Sequence, residues 1–192
     1  MGADAENAVV KAIFDDAIAV YSRVREMDHG AVVAAAAAIR ATLAAGGRLL
    51  IFGNGGSAAD AQHMAAELVG RFRRERRAVA ALALTTDSSV MTSVANDYGF
   101  ERIFARQIEA LGRPGDVAFG ISTSGKSPNV LKAIEAAGQQ GLRTIALTGR
   151  DGGAIGAAAE LHINVPEAAT ARVQEVHGTL IHAICELVER EL

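Results

Sequence analysis

RLLIFGNGGSAADAQHMAAELVGRF, residues 48–72, decides how the rest of the chain is read. It opens on an apolar run, RLLIFG (48–53), of the length of a buried strand. Asn54-Gly55-Gly56 follows, a tripeptide that permits tight backbone geometry and the close approach of a ligand. SAADAQHMAAELVGRF (57–72) then reads as a helix, with Ser57 placed to cap it. A strand that passes through a glycine turn into a helix is half of a βαβ unit, and it predicts a parallel sheet.

The same unit recurs downstream. AVAALAL (78–84) reads as a strand, SSVMTSVAND (88–97) as a helix and ERIFARQIEAL (101–111) as another. DVAFGIS (116–122) is a strand that leads into the helix SPNVLKAIEAAGQQ (127–140). RTIALT (143–148) and ELHINV (160–165) are strands separated by a glycine-rich turn, RDGGAIG, and ATARVQEVHGTLIHAICELVEREL (169–192) closes the chain as a helix. Five strands alternating with helices predict an α/β fold with a doubly wound, flavodoxin-like, five-stranded parallel sheet. Ligands of such sheets sit at the carboxyl ends of the strands.

Two helices precede the first strand. Val9, Ile13, Ala17, Val20 and Val24 recur at three or four within 5–27, and 30–45 is Ala-rich. They read as an N-terminal helical hairpin (1–45) that the α/β core (46–192) does not need to close its sheet. The hairpin is therefore expected to serve self-association within a single domain spanning 1–192.

The length, 192 residues, suits one domain, and 50% hydrophobic residues supply a sizeable core. The net charge is −3, and the one basic cluster, RFRRERR (71–77), reads as a solvated loop rather than a nucleic-acid site. Cys185 is the only cysteine, so no disulfide framework exists, and a small buried apolar role suits it. MGADAENAVV has no basic segment followed by an apolar one, Gly2 lacks the downstream Ser or Thr of a lipidation signal, and AVVAAAAAI is too short to span a bilayer. A cytoplasmic setting with no membrane partner is expected.

GISTSGKS (120–127) fits the pattern of a nucleotide phosphate loop, but Gly120 falls inside the strand, and no strand ends cleanly in a metal-holding Asp. The loop proper is STSGKS. Ser122, Thr123, Ser124 and Ser127 supply four hydroxyls, and the following helix offers free N–H groups and the positive end of its dipole. That combination suits one phosphate monoester, against the plainer reading in which the serines only cap a helix. On the helix after NGGS, Asp60, His63 and Glu67 share one face, and His63 and Glu67 are one turn apart. The pair suits a shared metal or a carboxylate base steered by an imidazole. The last helix adds Gln174, His177 and His182 beside an apolar stripe. Gln174 and His182 stand about 12 Å apart along a straight helix, so one ion hardly binds both from one regular helix of one subunit. Either Gln174 precedes or distorts the helix, or the two come from different subunits.

These residues resemble the phosphoheptose (sedoheptulose 7-phosphate) isomerases of the sugar isomerase, or SIS, domain class. The family stretch N-G-G-S-A-x-D-A-x-H-x-A-x-E-L is met in full by 54–68; TTDSSVMTSVANDYGFERIFARQ (85–107), STSGKS and QEVHGTLIHAICELVE (174–189) resemble its other blocks. Lys126 stands where the family is expected to carry Asn. The resemblance implies interconversion of D-sedoheptulose 7-phosphate and D-glycero-D-manno-heptose 7-phosphate on the way to activated heptose for lipopolysaccharide or other surface glycans. It implies a homotetramer with active sites between subunits, and zinc on His63, Glu67, Gln174 and His182. It implies substrate contacts at Asn54, Gly55, Gly56, Asn96, Asp97, Ser122, Thr123, Ser124, Ser127 and Gln174. Glu67 is then expected to move the proton and His182 to serve the oxygens. Other proteins with this domain are non-catalytic regulators, or partners of a replication initiator; the presence of Asp60, His63, Glu67 and His182 points to the enzyme.

Overall fold

The computed structural model describes residues 2–192. In chain order the elements are α1 (Ala3–Arg25), α2 (Gly30–Ala44), β1 (Leu49–Gly53), α3 (Gly56–Val69), β2 (Ala81–Ala83), α4 (Ser88–Tyr98), a 3-10 turn (Phe100–Arg102), α5 (Ala105–Leu111), β3 (Val117–Ser122), α6 (Pro128–Gln139), β4 (Arg143–Gly149), α7 (Gly153–Ala158), β5 (Leu161–Val165) and α8 (Thr170–Glu189). The five strands form one sheet in the order β2-β1-β3-β4-β5, and every pairing is parallel. The order reverses between β1 and β3, so the crevice that takes ligands in such sheets opens above those two strands.

Strand alternation divides the core into two layers. Leu49, Ile51, Val117, Phe119, Ile145 and Leu147 pack with α2, α3 and α8. Leu50, Phe52, Ala118 and Ala146 face the other way, onto α5 and α6. Asp116 locks β1 to β3 at their amino ends: its Oδ1 accepts Arg48 N–H at 2.9 Å and its Oδ2 accepts Arg113 N–H at 3.0 Å.

Three features differ from the sequence reading. Strand β2 is shorter than AVAALAL, because Val79 N–H turns away to Leu68 O at the end of α3. The turn RDGGAIG gives way to a short helix, α7, entered through Gly152 and Gly153 at φ 81° and 53° and held by the buried Ile155. The two N-terminal helices also play unequal parts. In α2, Ala35, Ala36 and Ile39 are wholly buried, and the small side chains let the helix lie close against α8 and the sheet. Helix α1 is largely exposed and buries only Val20. It is tied down through α8, by Tyr21 Oη donating to Glu175 O at 2.9 Å and Arg172 Nη1 donating to Ile13 O at 2.6 Å.

Candidate functional site

The carboxyl ends of β1 and β3 deliver two loops to the crevice. Asn54 follows β1, and its amide pairs reciprocally with that of Asn129 in the first turn of α6, both hydrogen bonds 2.8 Å long. Asn54, Ser127, Asn129, Phe100 and Glu101 line a cavity of about 420 Å³ beside them. Asn129 escaped the sequence reading. Its signal is only a polar residue after a helix-starting proline, and its partner lies 75 residues away.

The hydroxyl loop joins β3 to the N-terminus of α6. Ser127 holds the N-cap position of α6 but makes no side-chain cap bond; its hydroxyl instead meets Ser122 Oγ at 3.0 Å. The serines therefore do not spend themselves on capping; of the first turn of this twelve-residue helix, Pro128 has no N–H and Val130 N–H donates to Asn129 Oδ1 at 3.0 Å. Pro128 fits the first turn without loss of a hydrogen bond. Gly125 turns the loop at φ 66°, and a Cβ there would stand 2.2 Å from Gly152 O. Gly120 lies inside β3, where Val130 and Ile134 of α6 press on it. The nucleotide-loop register fails for that reason.

On α3 and α8, three predicted side chains come together. His63 Nε2 lies 2.7 Å from His182 Nε2 and 3.5 Å from Glu67 Oε1, and the donor atoms of all three fall within 4.8 Å of one another. The histidine rings meet edge to face at 5.0 Å. Two imidazole nitrogens and a carboxylate oxygen are a donor set that suits zinc, whose nitrogen ligands stand about 2.0–2.1 Å from the ion. Tetrahedral ligands at that range are about 3.3 Å apart; the Glu67 separation fits and the two nitrogens need to part slightly. Asp60 lies one turn before His63 with a buried, unpartnered Oδ2. Burial pushes its carboxyl up to about 6, and the attraction of His63 opposes the rise.

The other predicted residues lie elsewhere in the chain. Gln174 sits within an unbroken α8, and its amide covers Gly56, where a Cβ would fall 1.4 Å from Gln174 Nε2. It therefore faces the start of α3, not the His63–Glu67–His182 group. Gly55 makes the turn between β1 and α3 at φ 56°. Asn96 and Asp97 bond to each other at 2.8 Å on α4, a helix with no buried residue. Thr123 lies beneath Gly149, its carbonyl 2.4 Å from where a Cβ there would stand.

The buried histidine of α8 is His177, not His182. His177 Nε2–H donates to Thr148 O at 2.9 Å, its Nδ1 has no partner, and burial pushes its pKa down to about 4. Cys185 is buried as expected, and burial raises its thiol to about 12. The basic cluster corrects the sequence reading in part. Arg71 and Arg73 are solvated, but the Arg76 side chain is 4% exposed and ion-paired to Glu189.

Comparison with known proteins bears on this arrangement. The SIS domain family matches residues 13–149. A phosphoheptose isomerase of Citrifermentans bemidjiense is 62% identical over 148 residues, 77% of each chain. One from Aquifex aeolicus is 53% identical over 180 residues, 94% of each chain. The solved structure of a phosphoheptose isomerase from Neisseria gonorrhoeae superposes with a TM-score of 0.91 at 45% identity, covering 96% of this chain and 98% of that one.

Proposed function

We propose that this chain, which belongs to the SIS domain family and aligns over its length with phosphoheptose isomerases, interconverts D-sedoheptulose 7-phosphate and D-glycero-D-manno-heptose 7-phosphate. The observation that carries the reading is the convergence of His63, Glu67 and His182, two helices and 119 residues apart, on one cluster of donor atoms. The non-catalytic alternative has no use for a carboxylate and two imidazoles held this way.

The reaction moves one proton between adjacent carbons. Glu67 takes the proton from C1 of the ketose, giving an enediol(ate), and returns it to C2. His182 moves the matching proton between the two oxygens, so that the carbonyl passes from C2 to C1 with no net redox partner. Zinc held by His63, Glu67 and His182, with Gln174 supplied by a second subunit, would polarise the carbonyl and stabilise developing negative charge. Ser122, Thr123, Ser124 and Ser127, with the α6 N-terminus, grip the phosphate, and Asn54, Asn96 and Asp97 take sugar hydroxyls. The distant phosphate grip supplies binding energy that holds C1 and C2 in place.

We infer that one chain does not supply all of this to one sugar. Glu67 stands about 16 Å beyond Gly56 along α3 and His182 about 12 Å beyond Gln174 along α8, so the proposed contacts at the start of each helix and the groups that move the protons lie more than two helical turns apart. We therefore propose active sites between the subunits of a homotetramer, with α1 and α2 as the association arm. Exposed Val9, Ile13, Phe14 and Ile18 on α1, and an apolar groove of about 660 Å³ between α1, α2 and α8, support that role. No helix among the described residues is long and apolar enough to cross a membrane, and the enzyme is proposed to work in the cytoplasm. Turnover of five-, six- and seven-carbon ketose phosphates under identical conditions tests the assignment. The seven-carbon ester should be strongly preferred; equal or better turnover of a shorter one would overturn it.

A further inference from the structure

The basic stretch RFRRERR takes no part in the reaction as described, yet two of its members are built into the molecule with care. Glu189, in the last turn of α8, has a side chain 2% exposed. Its Oε1 accepts Phe72 N–H at 3.0 Å, and its Oε2 accepts Arg73 N–H at 2.8 Å and Arg74 N–H at 2.9 Å. Burial works to raise this carboxyl, but the three N–H donors and Arg76 outweigh it and hold it below the usual range. Arg76 lies 3.4 Å from Glu189 through Nε and spreads its other nitrogens over the carbonyls that end α3. Nη1 donates to Leu68 O at 2.9 Å and to Gly70 O at 3.2 Å, and Nη2 donates to Glu67 O at 2.8 Å.

The loop so folded lays the Phe72 ring against His182, centroids 5.3 Å apart. His182 is exposed, and the hydrogen bond found for its ring among the described residues runs from Nε2 to His63. Its rotation is therefore set by His63 on one side and Phe72 on the other. A buried ion pair is a poor source of stability, since desolvation offsets much of the attraction, whereas three directed N–H bonds fix a backbone path.

We propose that Glu189, Arg76 and Phe72 are positioning residues for the His63–Glu67–His182 group. Glu189 folds the loop, Phe72 sets the His182 imidazole, and Arg76 pins the turn of α3 that carries Glu67. The inference rests on the isomerase reading above. It concerns residues around the proposed ligands, which commonly change metal affinity by about 10–100-fold when altered.

The test uses the full chain and the variants Phe72→Leu, Phe72→Tyr and Glu189→Gln, with His182→Gln as control. Four quantities are read: kcat, KM for sedoheptulose 7-phosphate, zinc affinity by competition with a chromophoric chelator, and the thermal midpoint. Phe72→Leu should keep its thermal midpoint and hold KM within about twofold, while kcat and zinc affinity each fall about tenfold or more. Phe72→Tyr should restore both. Glu189→Gln should fall in the same direction and lose thermal stability as well. If Phe72→Leu keeps kcat and zinc affinity within twofold while His182→Gln loses them, the positioning role is overturned and the isomerase reading stands. If His182→Gln itself keeps both, the site assignment fails, and the inference fails with it. A Glu189→Gln variant that does not fold leaves the decision to Phe72→Leu.

Discussion

Lowering the pH should destabilise the chain through His177 in particular. The imidazole is wholly buried, donates one hydrogen bond to Thr148 O, and leaves Nδ1 buried without a partner. A second proton has nowhere to be solvated, and the pKa falls from 6.5 to about 4. The unfolded chain therefore takes up a proton as pH drops through 6.5, while the folded chain does so only near 4. Stability is intact above pH 7, falls from about 6.5 downward, and levels off below about 4. The difference amounts to about 2 kcal/mol at pH 5 and about 3 kcal/mol at pH 4. Urea unfolding at fixed protein concentration, at pH 7.5, 6 and 5, measures this directly. His177→Gln, whose amide can still donate to Thr148 O, supplies the reference: the carboxylates titrate in both proteins and cancel. The wild type should lose about 2 kcal/mol more than the variant between pH 7.5 and 5. Parallel pH dependences would refute the argument.

Other outcomes follow from the site. Glu67→Gln should lower kcat by about 10²–10⁴ with little change in KM, followed by NMR of the ketose–aldose ratio; near-normal turnover would remove Glu67 as the base. Dialysis against a chelator should abolish turnover and zinc should restore it, with metal analysis giving about one ion per chain; full activity in metal-free protein would remove zinc from the proposal. Gly125→Ala meets both a positive φ and Gly152 O at 2.2 Å, so the hydroxyl loop must shift. KM for the phosphate ester should rise about tenfold or more, and an unchanged KM would place the phosphate elsewhere. Ile18→Glu puts a charge on the exposed apolar face of α1; light scattering should report species smaller than the wild type and activity should fall with them.

Much of this architecture was legible in the chain because it is written in local pattern. All five strands were found from short apolar runs, and the parallel arrangement from their alternation with helices. What escaped depends on packing. GAIGAA forms α7 although two glycines disfavour helix, because Ile155 is buried and Gly156 lets His162 pack against the turn. An apolar stripe on α8 could not tell which histidine it buries; five residues, about 1.4 turns, separate His177, inside, from His182, outside. The proposed ligands were visible as a pair on α3 through their spacing, and the resemblance added His182. Asn129 and Glu189 carry no such spacing, since their partners lie 75 and 117 residues away and meet only once the sheet has formed.

Helices α3 and α8 both run back from the carboxyl edge of a parallel sheet, and so lie side by side with the same polarity. They touch at three stations in order: Gly56 with Gln174, His63 with His182, and the loop at Phe72 with Glu189. The pair works as a vernier, two graduated scales read against each other. Inserting or deleting a single residue between stations would turn one scale by about 100° and slide it about 1.5 Å. Such an indel would misalign every later mark at once. Length variation in this protein should therefore collect at the ends and in the loops at the far edges of the sheet, and leave the spans from 56 to 72 and from 174 to 189 at constant count.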